Sequence, residues 1–113
     1  MNIELVENLD AGVVGWENQF GEREGRFFLA PDGAVFYRSP FDARTWIVGD
    51  DVPQFRSAAL AWNTYTASVR GQSENEQLKA IVTLRSALQN LRLLTEPESF
   101  WGQLLEQAEN GQL

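Results

Sequence analysis

The apolar residues of this chain change period once, within the phrase WIVGDDVPQFRSAALAW (residues 46–62), and that change dictates the class of fold. Before it, short β-forming runs are cut by Gly, Pro and Asp. GVVGWENQF (residues 12–20) reads as a strand bent at Gly15, since glycine inside a strand marks a bulge or bend. GEREG (residues 21–25) reads as a charged turn. RFFLA (residues 26–30) and AVFYR (residues 34–38) read as strands joined at Pro31-Asp32-Gly33, a combination that favours a tight hairpin. SPFDA (residues 39–43) reads as a loop and TWIV (residues 45–48) as the last short strand. Residues 1–10 scatter Ile3, Leu5, Val6 and Leu9 among acids, a pattern compatible with a short strand, a helical turn or a loose N-terminal arm.

After Asp51 the period becomes that of a helix. Over residues 52–68, Phe55, Ala58, Ala59, Trp62 and Thr66 share one face, and Gly71 ends the helix. Ser73 and Glu76 have the spacing of a capping box for a second helix to about Arg92, with Leu78, Ile81, Val82, Leu84, Leu88 and Leu91 as a wide apolar face. Thr95 and Glu98 repeat that spacing, with Pro97 in a first turn where its missing N–H costs nothing. Trp101, Leu104, Leu105 and Ala108 form the last stripe, closed by Asn110-Gly111. Strands first and helices after predict an α+β domain spanning 1–113: a small antiparallel sheet of about four strands followed by three helices packed on it.

Chemistry has few places to reside. The chain has no histidine and no cysteine, which excludes imidazole and thiolate metal sites, serine–histidine nucleophiles and disulfides. Adjacent side chains in an extended or turn segment point apart, so Asp50 and Asp51 are poorly placed to chelate one ion. Asp51 instead suits the N-cap of the helix that follows, with Asp50 near the positive end of its dipole. No glycine-rich phosphate loop follows a strand. The expectation is a protein that is not an enzyme and carries no cofactor or metal.

Charge then bears on partners. The net charge is −7, and residues 1–51 carry ten carboxylates against four arginines. Such a field repels phosphate backbones and anionic lipid, so nucleic acid and membrane are poor partners and a basic protein is a natural one. No run reaches the ~18 apolar residues of a membrane helix, the N-terminus lacks a secretory signal, and the expected location is cytoplasmic. Trp46, Trp62 and Trp101 fall in elements predicted to be buried. Trp16, Tyr37 and Phe41 fall beside glycine or loop residues, and with Glu17, Glu22, Glu24, Asp32 and Asp42 they would make an apolar anchor inside an acidic rim, the anatomy of a protein-binding surface.

Residues 24–113 also resemble the SUKH superfamily, in particular a branch of bacterial immunity proteins. The resemblance rests on the strand pair RFFLAP and GAVFYR, the helix opening Asp51-Val52-Pro53-Gln54-Phe55, and the terminal ESFWGQLLEQAENGQL, with a shortened N-terminal part. It implies a binding role: neutralising a cognate toxin, often a nuclease, by occlusion, with no catalytic residues. The alternative from a different class is a structural or regulatory homo-oligomer, so monomer and homodimer both remain open.

Overall fold

The computed structural model describes residues 1–10, 12–42 and 44–111; residues 11, 43, 112 and 113 and the side chains of 7–10 lie outside that description, among them Leu9 of the N-terminal stretch and Ala43 of the expected loop. Five strands, β1 (Asn2–Asp10), β2 (Val13–Gln19), β3 (Glu22–Leu29), β4 (Val35–Arg38) and β5 (Thr45–Gly49), precede three helices, α1 (Val52–Ser68), α2 (Glu74–Asn90) and α3 (Phe100–Glu109). The strands form one antiparallel meander whose spatial order is their chain order. The class is α+β, with five strands rather than four.

The fifth strand is the N-terminal stretch. β1 pairs with β2 through Ile3↔Glu17, Glu4↔Trp16 and Leu5↔Gly15. On its other side the N–H of Ile3 donates to Asn63 Oδ1 at 2.8 Å, and Asn63 Nδ2 donates to the carbonyl of Ile3 at 2.8 Å. One side-chain amide thus satisfies both groups that a sixth strand would have paired. Trp62 Nε1 adds a bond to the carbonyl of Met1 at 3.0 Å.

The charged turn expected over 21–25 contracts to two residues. Gln19 pairs with Glu22, and Phe20 (φ 52°) and Gly21 (φ 83°) turn the chain between them with positive φ at both central positions. That twist suits a hairpin, and the strand resumes at Glu22. At the next hairpin, Asp32 Oδ1 accepts from the N–H of Ala34 at 3.1 Å and Gly33 takes φ 93°.

α1 begins as its residues dictate. Asp51 accepts from the N–H of Gln54 at 2.8 Å, Pro53 lies in the first turn, and Phe55, Ala58, Ala59, Trp62 and Tyr65 are buried. Tyr65 takes the place expected of Thr66, which is half-buried. Ser73 caps α2 by accepting from the N–H of Glu76 at 3.2 Å. α2 buries Ile81, Leu84 and Leu88, while Leu78 and Val82, expected on its apolar face, are exposed. The reason is position: α2 packs chiefly on α1 and α3, a second row that requires only a narrow stripe.

The expected Thr95–Glu98 capping box is not formed. Ser99 is the N-cap of α3, accepting from the N–H of Gly102 at 3.0 Å and donating to the carbonyl of Glu96 at 2.7 Å. Thr95 instead accepts from Gln89 Nε2 at 3.2 Å, and Glu98 is exposed. The segment before α3 folds back onto its first turn, so closely that a Cβ on Gly102 would lie 1.8 Å from the carbonyl oxygen of Glu96.

In the core Phe27 is the hub. Its ring centroid lies 5.3 Å from Tyr37, 4.9 Å from Phe55 and 5.7 Å from Phe100, which joins β3, β4, α1 and α3. Gly25 makes room for Tyr37, whose ring would stand 2.2 Å from a Cβ there.

Substitutions separate these assignments. Ser99→Ala is expected to cost about 1 kcal/mol as a lost N-cap, whereas Thr95→Ala leaves the urea midpoint nearly unchanged. Asn63→Ala leaves two backbone groups of β1 unpaired and is expected to cost about 1–3 kcal/mol. Urea denaturation monitored by tryptophan fluorescence measures all three.

Candidate functional site

The helices pack on one face of the sheet. Phe27 and Tyr37 pair across β3 and β4 beneath Phe55 and Phe100, and successive strand side chains point to opposite faces. The register therefore places two cross-strand rows on the other face. One runs Val13–Phe28–Phe36–Ile47 across β2 to β5, and the second runs Glu4–Trp16–Arg26–Arg38–Thr45 across β1 to β5.

The first row is apolar. Phe28 and Phe36 stack with centroids 6.0 Å apart, and Ile47 is 49% exposed. The second row is polar and cationic at its centre. Glu4 is held by Arg23 through Nη2–Oε1 at 2.6 Å and Nε–Oε2 at 3.1 Å. The Arg23 guanidinium, 5.2 Å from the Trp16 ring centroid, lies over that ring and holds the Glu4 carboxyl below its ordinary value. Arg26 lies 5.9 Å over Phe28. Arg26 and Arg38 face each other directly, and neither forms an ion pair among the described residues. In a chain of net charge −7, the middle of the uncovered face thus carries two arginines that no carboxylate among the described residues pairs.

The residues expected to form one acidic, aromatic surface are divided by the fold. Trp16, Glu24 and Asp42 meet, together with Arg26, Arg38, Ser39 and Pro40, around a shallow concavity of about 290 Å³ on the uncovered side. Glu17 and Tyr37 turn the other way. The Tyr37 hydroxyl donates to Glu17 Oε1 at 2.7 Å, and the N–H of Gly25 donates to the same oxygen at 3.3 Å. Trp16 and Glu17 are successive residues of β2, so their side chains serve opposite faces of the sheet. Phe41 is 86% exposed in the β4–β5 loop, where Asp42 bonds Arg44 at 3.2 Å. Glu22 is exposed at the same end of the sheet, and Asp32 lies in the β3–β4 turn at the opposite end. The expected rim is thus an acidic margin at one end of a cationic, aromatic face.

Sequence reasoning missed Phe28, Phe36, Ile47 and the arginines, because apolar strand residues read as core. The alternation RFF and VFYR does contain the signal: Phe27 and Tyr37 on one face put Arg26, Phe28, Phe36 and Arg38 on the other. Phe20, fully exposed at the β2–β3 tip, was also missed because it reads as a strand end.

Among the described residues no buried side chain is charged, and no group of three or more Asp or Glu is placed to hold a metal. No helix is long and apolar enough to cross a membrane. Comparison of the chain with protein-family models, with curated proteins and with solved structures finds no match.

Burial and the Glu17 carboxylate raise the ionisation of Tyr37 well above the ordinary value of 10.0, and burial raises Tyr65 as well. A tyrosine whose pKa is higher folded than unfolded contributes stability that is present below about pH 10 and is lost as pH rises through its folded value. Absorbance at 295 nm is therefore expected to show late tyrosine ionisation that coincides with unfolding. Tyr37→Phe should make stability less dependent on pH above 10; an unchanged alkaline transition would refute the Tyr37–Glu17 account.

Proposed function

We propose that the chain is a protein-binding domain of immunity type, which neutralises a toxin domain by docking on it and covering its site. The observation that carries the binding part of this reading is the uncovered sheet face. A layer of Phe28, Phe36 and Ile47 left without a helix over it, beside Trp16 and arginines, has the composition of an interface centre, where aromatic residues and Arg are enriched. The toxin partner comes from the SUKH resemblance of residues 24–113. A net charge of −7 favours the approach of a basic domain, such as a nuclease, with Glu22, Glu24 and Asp42 at the margin to meet its cations.

A homo-oligomeric subunit is the second reading, since the same face would suit another copy by its apolar row. It is opposed by the arginines, which a two-fold pairing of this face would bring towards one another.

Affinity capture from the producing cells, with the wild-type chain and Phe36→Glu/Ile47→Glu as baits, tests the proposal. The expected result is a protein retained by the wild type and lost by the variant, which arrests growth when expressed alone and is silent on co-expression. A wild-type chain that elutes as a salt-insensitive dimer, with the variant monomeric, would establish the subunit reading instead.

A further inference from the structure

We infer that Arg26 and Arg38 form a carboxylate-binding site on the uncovered face, and that the docking partner contributes an acidic side chain flanked by apolar ones. This rests on the reading of that face as the docking surface, and specifies what the partner must present. Three observations converge. The two arginines are directly opposite each other across β3 and β4, an arrangement that is destabilising for like charges and is relieved when an anion lies between them. Neither has an ion-pair partner among the described residues, whereas Arg23, Arg44 and Arg85 are each paired with a carboxylate. Both line one concavity with Trp16, which supplies an aromatic wall.

The neighbouring carboxylates leave the pair available. Asp42 lines the same concavity but is engaged by Arg44 at 3.2 Å, and Glu4, in the same row, is engaged by Arg23. Glu24 also lines it and bonds neither arginine within ion-pair distance. A guanidinium donates two parallel N–H···O bonds to a carboxylate, so two facing guanidinia fix such a group in position and direction. The next row, Phe28–Phe36–Ile47, is then directly beside the bound carboxylate and takes the partner's adjacent aliphatic or aromatic side chains. Charge complementarity is local: the occupant is an acidic and apolar protein segment, whose single carboxylate meets less repulsion from Glu24 and Asp42 than a polyphosphate would.

The probe is a blocked peptide of alternating glutamate and leucine flanked by serines, titrated into the ¹⁵N-labelled full chain. Controls are the same peptide with lysine at each glutamate, and decathymidylate. The glutamate peptide is expected to shift the Trp16 indole and the Arg26 and Arg38 side-chain resonances, and to bind at least about tenfold more tightly than the lysine peptide. Arg26→Gln/Arg38→Gln should abolish that preference with an equal or higher urea midpoint, since it removes a like-charge pair. Equal binding of both peptides, shifts confined to another surface, no binding, or decathymidylate binding at the arginines in preference to the glutamate peptide would each overturn the inference. So would a toxin partner captured by Arg26→Gln/Arg38→Gln as well as by the wild type, a result that leaves the proposed function standing. Retention of the same partner by Phe36→Glu/Ile47→Glu would instead overturn the proposed function itself.

Discussion

The side-chain amide of Asn63 occupies the position of a missing strand, and much of the fold follows from it. An edge strand presents alternate N–H and C=O groups that template aggregation unless something covers them. Here α1 spans the sheet diagonally: Gln54 accepts from the N–H of Asp50 at the end of β5, while Trp62 and Asn63, two turns further on, bond Met1 and Ile3 of β1. Arg56 reaches the carbonyl of Val6 at 3.4 Å. On the opposite edge, Trp101 Nε1 of α3 donates to the carbonyl of Val48 at 2.9 Å. Both edges therefore carry side-chain bonds from the helical layer, which also tie the strand and helix halves together. Strand addition at Ile3 or Val48 is blocked, and the broad surface left for association is the face of the sheet.

That face owes its character to the requirements of the other. Placing Phe27 and Tyr37 under Phe55 and Phe100 forces every alternate residue of β3 and β4 outward. A face with no other task would be filled with threonine and paired charges. This one instead carries stacked phenylalanines and two guanidinia opposed across strands. The phenylalanines are half-buried and keep part of their apolar surface in water, and the facing guanidinia are like charges in proximity. Their coincidence on the one layer without helices is the physical ground for reading it as a surface shaped by a partner.

The order of elements was legible because it rests on local rules. The change of period at Asp51, the N-caps Asp51 and Ser73 and the Pro-Asp-Gly hairpin all act within four residues. What was illegible depended on distance. β1 is a strand because Asn63, sixty positions away, satisfies Ile3, and α3 starts at Ser99 because Glu96 packs on Gly102. Two capping boxes of identical spacing, at Ser73 and Thr95, had different fates because the second competes with a close backbone approach. The candidate site was divided for a simpler reason. Trp16 and Glu17 are successive residues of one strand and serve opposite faces, so a surface drawn from sequence neighbours is split by the sheet.

Net charge and local charge act at different ranges here. The Debye length at physiological salt is about 8 Å, so carboxylates beyond that range are largely screened from a group bound at Arg26 and Arg38. From a distance a partner meets a body of net charge −7 and is attracted if it is basic. In contact, on the proposed reading, it meets two guanidinia unpaired among the described residues, an aromatic wall and an apolar row. On the proposed reading the overall field sets how fast a partner arrives, and the arginine pair sets the register in which it is held. A basic protein with one acidic, apolar segment satisfies both conditions, and a uniformly basic one satisfies only the first. Composition alone speaks only to that first condition, because the second comes into being when β3 and β4 pair.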